Sequence, residues 1–465
     1  MSPKSPETPE PVQLPTRLAA LLPYSADCSC GRTHAVTTRW AVVRSGALDE
    51  LPDRLAEVGS GLAITLVADR RTRQVAGERC AASLQAAGHR VQWCELADGA
   101  GGRPHADEAG LARVEPALAG ADAAVAVGSG TVNDLVKLAS YRRGIPYVVV
   151  ATAPSMNGYT SAIAAIMQAG VKRTVDCHGP LGVIADLDVV RRAPAELVAA
   201  GLGDLESKPT ASADFRLSGW LRGTYYCPAP ERVVLEAEPR VADAAAGIGA
   251  GDPEALALLT EALLLSGLSM KLAGSSSPAS GGEHLISHHW DMTAGEQGRV
   301  EGFHGAQVGV ATIVTAALYE QLGELSPAAI DPEALVAGRP DEAACRARIA
   351  RDHGERADEV AAEFFSKRLD DRALRTELER IRDDWSGLWQ RLAATLRPAA
   401  RTRAILHAGG APTDVRALGL TPDHLRRSLR IARDIRGRFT VLDLAAELGL
   451  LEAQADAVLQ RSGCL

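Results

Sequence analysis

Short apolar runs alternate with helix-spaced stretches from about residue 40 to residue 151. Residues 61–69, 91–96, 123–127 and 145–150 are near-continuous apolar runs of strand length, the first ending in the carboxylate of Asp69. Residues 72–88 have helical composition and stop at a glycine, a usual C-cap. Residues 108–118 and the stretch after Gly130 through Tyr141 read the same way. Strands that are apolar at nearly every position must be buried on both sides. The pattern therefore predicts a parallel sheet with helices on both faces.

Beyond Asp188 strand-like runs become rare. Asp252-Pro253 and Asp331-Pro332 each pair an N-capping carboxylate with a proline at the first helical position, and apolar positions at helical spacing follow. Residues 355–396 alternate charged and apolar positions in that period, and Thr421-Pro422 opens another helix. A mostly α second domain is expected. No charge falls between Arg143 and Lys172, but Pro146, Pro154, Asn157 and Gly158 interrupt the window, which predicts a buried strand plus a loop and no membrane span. The proline-rich, polar N-terminus predicts a disordered tail. The expected division is a tail over 1–20, an α/β domain over 21–190 and a helical domain over 191–465.

Length agrees with two domains, since 465 residues exceed what one small core serves. The 46% hydrophobic and 23% charged residues are those of a soluble globular protein, and a net charge of −8 opposes a nucleic-acid binder that works by phosphate neutralisation. Eight cysteines are scattered without disulfide-framework spacing and without a signal peptide, which predicts reduced thiols in a cytoplasmic protein. The segment Cys28-Ser29-Cys30-Gly31-Arg32-Thr33-His34 invites a zinc reading. Cys-x-Cys is tighter than the usual structural spacing, however, and no second pair follows at a standard offset, so a turn between short strands is expected there.

Candidate chemistry concentrates in a few places. Four of the eleven histidines are His284, His288, His289 and His304. On a helix His284 and His288 share a face, and imidazole is the commonest side-chain ligand for zinc, iron or nickel, so a metal site is the first hypothesis. A carboxylate to complete it stands in Gly201-Leu202-Gly203-Asp204, flanked by glycines and read as entering a helix, with Glu206 a second candidate. The plainer role for such an aspartate is an N-cap. Upstream, Gly128-Ser129-Gly130 joins a strand end to a helix start, where free N–H groups and the helix dipole favour phosphate and glycine allows close approach. The full dinucleotide fingerprint is absent, and a tight turn is the plainer reading. Asp69 is placed to accept hydrogen bonds from an adenosine ribose, which favours NAD, whereas Arg70 and Arg71 would meet the 2′-phosphate of NADP. The hydroxyls, amide and glycine of 152–161 suit ribose, nicotinamide and substrate. Lys208 is a candidate phosphate contact, read more simply as a solvated surface lysine.

As an ordered set, several segments resemble the glycerol-1-phosphate dehydrogenases, in the bacterial branch related to archaeal lipid enzymes. They are Cys-x-Cys-Gly-x-x-His at 28–34, the loops 128–134 and 152–161, Gly203-Asp204, Glu283-His284, His304-Gly305, Gly410-Ala411-Pro412-Thr413 and the stretch 436–444. The wider superfamily holds iron-containing alcohol dehydrogenase, glycerol dehydrogenase and dehydroquinate synthase. The resemblance implies a dehydroquinate synthase-like fold: an α/β, Rossmann-like N-terminal domain with a parallel sheet for NAD or NADP, and a mostly α C-terminal domain. It implies Asp204, His284 and His304 as ligands of one divalent metal, zinc or nickel foremost, with iron within the family's range. His288 matches a substrate-binding position, and Gly128, Ser129, Gly130, Thr131, Asp134, Thr152, Ser155 and Ser161 fall at nucleotide-binding positions or in the same loop. Asn157 stands where the family usually carries a substrate-binding aspartate, which loses the negative charge and the proton-accepting ability. The implied reaction is reduction of dihydroxyacetone phosphate, or a related phosphorylated ketone, to sn-glycerol 1-phosphate by a cytoplasmic homo-oligomer. Its rivals are a sugar-phosphate cyclase resembling dehydroquinate synthase, a dehydrogenase redirected to another polyol by Asn157, and a binding protein with a degenerate site.

Overall fold

The structure is a computed structural model that describes residues 11–298 and 302–465. Two short antiparallel strands, β1 (Tyr24–Asp27) and β2 (Thr33–Val36), precede the main sheet. The strands that follow are β3 (Trp40–Arg44), β4 (Ala63–Asp69), β5 (Arg90–Leu96), β6 (Ala123–Gly128), β7 (Tyr147–Ala151), β8 (Ile163–Gln168), β9 (Val171–Asp176) and β10 (Gly182–Asp186). Six of them form one parallel sheet in the order β3-β10-β7-β6-β4-β5, while β8 and β9 pair antiparallel as a hairpin, beginning where the sequence pattern predicts a loop.

The unbroken apolar runs have a plain cause. Along β6 and β7, Val125, Val127, Val148 and Val150 enter one core with Leu51 and Ile64. Ala124, Ala126 and Val149 enter a second core, which continues into the helical region through Leu259, Leu264, Trp290 and Ile313. Both faces are covered, so no position in these strands tolerates a polar side chain cheaply.

The chain steps outward from β4 to β5, then returns to lay β6 against the other side of β4. The carboxyl ends of β4 and β6 therefore flank a switch point, where open α/β sheets bind ligands. Val67 pairs with Ala126, so Asp69 and Gly128 finish their strands side by side.

The helices between strands include α1 (Glu78–Ala86), α2 (Glu108–Ala117) and α3 (Gly130–Arg143). The helix expected over 72–88 is interrupted by a π-type widening at Arg73–Gly77, where a Cβ on Gly77 would lie 2.8 Å from the Trp93 ring. Of the tail expected over 1–20, residues 1–10 lie outside the described residues, and the remainder packs Leu14 and Leu18 into the core.

No strand follows Asp186 among the described residues. The helices that matter most are α4 (Ala195–Glu206), α5 (Lys208–Arg222), α6 (Pro253–Ala273), α7 (Gly282–Thr293) and α8 (His304–Gly323). The predicted caps form: the Asp252 carboxylate accepts from the Ala255 amide at 2.9 Å, and the Thr421 hydroxyl from the His424 amide at 3.2 Å. Helix α6 is long and apolar enough to cross a membrane, yet 78% of its most apolar stretch is buried inside the protein, where it serves as a core helix.

Candidate active site

Asp204 lies in the last turn of α4, not at a helix entry as its flanking glycines had suggested. The glycines serve helix contact. A Cβ on Gly203 would come 2.2 Å from the Gly305 carbonyl oxygen, one on Gly305 would come 1.8 Å from that of Ala200, and one on Gly201 would come 1.7 Å from that of Pro154. Backbone therefore meets backbone where α4 crosses α8 and the 152–161 loop. That approach carries Asp204 to His304, the first residue of α8, and to Asn157.

His284, on α7, completes the group. One ligand atom from each of Asp204, His284 and His304 lies within 4.8 Å of the others. The nearest resolved separation, His284 Nε2 to Asp204 Oδ1, is 3.7 Å. A carboxylate accepts hydrogen bonds and cannot donate when ionised, so Glu283 Oε1, 2.8 Å from His284 Nδ1, takes the proton-bearing side of that ring. The lone pair of Nε2 is thereby turned towards Asp204, the arrangement that orients metal-ligating histidines.

Three hydrogen bonds hold the Asp204 carboxylate: Lys208 Nζ at 3.1 Å and Asn157 Nδ2 at 3.1 Å donate to Oδ1, and the Asn157 amide donates to Oδ2 at 2.9 Å. A carboxylate offers about four acceptor positions, so one remains on Oδ2. Burial pushes this carboxyl up, but the Lys208 ammonium and the neighbouring His284 and His304 outweigh it and hold the group well below the usual carboxylate range. Burial, reinforced by the charge of Lys172, pushes His288 and His304 well below the ordinary imidazole value. Both rings are neutral near pH 7. The Nδ1 atoms of His288 and His304 are buried without a hydrogen-bond partner among the described residues. One ionised carboxylate, two imidazoles and an unserved ring nitrogen suit a divalent cation by donor chemistry and by spacing. The His288 ring, centred 6.1 Å from His284 and 5.8 Å from His304, borders the group without belonging to it.

These histidines open onto a cleft of about 720 Å³ between the sheet's carboxyl edge and the helices. Its lining also includes Asp69, Ser129, Gly130, Thr131, Asp134, Thr152, Ser155, Asn157 and Ser161. Gly128 ends β6 behind it, where a Cβ would lie 2.6 Å from Val132 Cγ2, so the tight turn into α3 requires glycine. Ser129 stands at the N-cap position of α3, and its hydroxyl meets that of Ser155 and not the helix amides. The first amides of α3 thus face the switch point. Asp134 and Ser161 are occupied internally: Asp134 accepts from the Ala165 amide at 3.1 Å, and the Ser161 hydroxyl accepts from Lys137 at 3.0 Å. Asp69 accepts from the amides of Arg71 and Thr72 at 2.7 and 2.9 Å, and Arg71 pairs with Asp98 at 3.0 Å.

The match to known proteins agrees with this geometry. Residues 42–194 match the family described as iron-containing alcohol dehydrogenase. The glycerol-1-phosphate dehydrogenase [NAD(P)+] of Halalkalibacterium halodurans is 39% identical over 298 residues, which span 64% of this chain and 74% of the relative. The chain belongs to the glycerol-1-phosphate dehydrogenase family. The similarly named protein of Geobacillus thermodenitrificans is 31% identical over 396 residues, 84% of this chain and 88% of its own length. Among solved structures, glycerol dehydrogenase from Schizosaccharomyces pombe superposes with a TM-score of 0.58 at 16% identity, covering 92% of this chain and 93% of that one. A probable glycerol dehydrogenase from Sinorhizobium meliloti 1021 gives 0.54 at 18% identity over 90% and 97%. The fold is the dehydroquinate synthase-like architecture expected from the resemblance, and the protein is an enzyme of the alcohol dehydrogenase type.

Within this glycerol-1-phosphate dehydrogenase family member, three expectations need correction. Glu206, the alternative carboxylate, points away from the histidines and pairs with Arg397 at 2.6 Å beside Glu238. Lys208 is fully buried, not solvated, and its ammonium donates to Asp204, to Ser207 Oγ at 3.0 Å and to the Ala279 carbonyl at 2.9 Å. His289 turns from the cleft to Ser428 Oγ at 2.9 Å. Among the cleft residues that the sequence pattern does not single out is Lys172, which lines the cavity and pairs with Asp291 at 2.6 Å. Its only trace in the sequence was that it ends the charge-free window.

Proposed function

We propose that this protein uses NAD(P)H and a divalent metal to reduce dihydroxyacetone phosphate to sn-glycerol 1-phosphate. The observation that carries the reading is the convergence of Asp204, His284 and His304 at a cleft also lined by the glycine turn of a helix N-terminus. When bound, NAD(P)H supplies the hydride and a divalent cation, zinc or nickel foremost, supplies the electrophilic polarisation that ketone reduction needs.

The rest falls to the chain. The first amides of α3 receive the pyrophosphate, with Ser129, Thr131, Thr152 and Ser155 around the nucleotide. Asp204, His284 and His304 would hold the cation, a donor set of the size that catalytic sites use. His288, neutral and with Nδ1 unserved, orients a substrate hydroxyl and passes a proton from solvent to the ketone oxygen, which needs one once the carbonyl carbon has taken the hydride. Lys172 places positive charge near His288 and His304 for a substrate phosphate. Asn157 binds substrate less strongly than an aspartate would, while its amide braces Asp204. Relatives named glycerol-1-phosphate dehydrogenase [NAD(P)+] support the substrate and both nicotinamides. We extend to this enzyme the cytoplasmic, homo-oligomeric character and the division near residue 190 that the sequence led us to expect.

The test follows oxidation of NADH and NADPH with dihydroxyacetone phosphate before and after chelation. The expected result is loss of the rate and its return with zinc or nickel. A rate untouched by complete metal removal overturns the metal's role. Turnover without net consumption of reduced nicotinamide would favour the cyclase.

A further inference from the structure

Outside the lining of the cleft, Cys28, Cys30, His34 and Cys227 each contribute one ligand atom to a group whose members all lie within 4.8 Å of one another. Cys28 Sγ is 3.9 Å from Cys227 Sγ, and His34 Nε2 is 3.5 Å from the sulfurs of both Cys30 and Cys227. A tetrahedron built on Zn–S bonds of about 2.3 Å and a Zn–N bond of about 2.0 Å has edges of roughly 3.8 Å between sulfurs and roughly 3.5 Å between sulfur and nitrogen. The three resolved separations match those edges.

We propose that these side chains form a structural zinc site of three thiolates and one imidazole, which staples the N-terminal hairpin to the helical region. Cys28 and Cys30 stand on the turn between β1 and β2, closed by the Gly31 amide donating to the Cys28 carbonyl at 3.0 Å with Gly31 at φ 81°. His34 is fully buried, and its Nδ1 lies 2.7 Å from the Leu272 carbonyl oxygen on α6. That oxygen can only accept, so Nδ1 carries the proton and Nε2 turns its lone pair to the sulfurs, as in ligated histidines. The Val12 amide donates to Cys28 Sγ at 3.4 Å, a contact that favours thiolate. Cys227 arrives immediately before the Pro228–Leu235 helix. Four donors leave no open position, which makes the site structural and not catalytic.

The decisive experiment uses the full-length enzyme expressed with zinc and its His304→Ala variant, analysed for metal by mass spectrometry and by zinc X-ray absorption. The variant is expected to retain about one zinc per chain, in a sulfur-dominated shell with Zn–S near 2.3 Å. Cobalt exchange is expected to give thiolate-to-cobalt charge transfer in both proteins, and Cys30→Ser to abolish it with loss of one metal per chain. If Cys30→Ser does not fold, the spectra of the other two still decide. A variant devoid of zinc, a shell without sulfur, or a disulfide among these cysteines in freshly purified protein overturns the proposal. Failure of the proposed catalytic metal would look different: wild type would bind one zinc, held by sulfur.

Discussion

Gly203 on α4 and Gly305 on α8 meet backbone to backbone, with only 2.2 Å between the place of a Cβ on the first and the carbonyl oxygen of the second. That contact sets the distance between Asp204 and His304, each adjacent in sequence to one of the glycines. Gly305→Ala would insert a methyl 1.8 Å from the Ala200 carbonyl oxygen, where backbone must give way. Overpacking costs about 1–3 kcal/mol in general, and a backbone clash belongs at the upper end. We expect a lower urea midpoint together with weakened binding of the catalytic metal. An unchanged metal affinity would show that the glycine contact does not position the ligands.

Asn157 donates to both oxygens of the Asp204 carboxylate. In Asn157→Asp a second carboxylate would replace the amide donor at 3.1 Å. Like charges this close destabilise each other where water is excluded. The metal-free variant is expected to melt below wild type, and saturating zinc or nickel to recover most of the difference. Thermal denaturation with and without metal reads this directly, and equal melting temperatures in the metal-free proteins would refute it.

Arg71 lines the cleft but is held by Asp98 at 3.0 Å. Asp98→Ala releases the guanidinium towards the position of an adenosine 2′-phosphate. A charge-assisted hydrogen bond gained there contributes about 1.5 kcal/mol, or roughly tenfold. The KM for NADPH is expected to fall by about that factor, at most, while that for NADH stays level. Parallel changes with both cofactors would exclude this role for Arg71.

Asp434 is buried against Arg348 at 2.6 Å and His353 at 3.2 Å. Burial alone would raise its carboxyl, but His353 and Arg348 outweigh that and hold it well below the usual aspartate range. A depressed carboxyl contributes stability that is complete above its unfolded value, about pH 4, and is lost as pH falls towards its folded value. Asp434→Asn is expected to cost about 3 kcal/mol near pH 7. The gap from wild type should narrow below about pH 4. Urea midpoints across pH measure both, and a gap independent of pH would refute the linkage.

Much of the framework was legible because it is local. Apolar runs such as 123–127 and 145–150 announced strands buried on both faces, and Asp252-Pro253 announced a capped helix. His284 and His288 shared a helical face as their spacing required. The β8–β9 hairpin was not legible, since its mixed residues, Lys172 and Arg173 among them, carry no clean alternation.

By itself the amino-acid order determined the strands of the parallel sheet, most of the helices, the glycine turn at Gly128 and the supply of ligand-type side chains, because dihedral preference and burial period act over a few residues. Only the tertiary structure decided which of those side chains meet. It set Asp204 in a last helical turn beside His304, turned Glu206 and His289 away, and buried Lys208, which reads as a solvated surface lysine, against the Asp204 carboxylate. It also brought Cys227 to a hairpin that lacked a second cysteine pair. The reason is physical: convergence over such separations depends on how closely helix backbones can approach and on which face each helix buries, and neither is written at the site of any one residue.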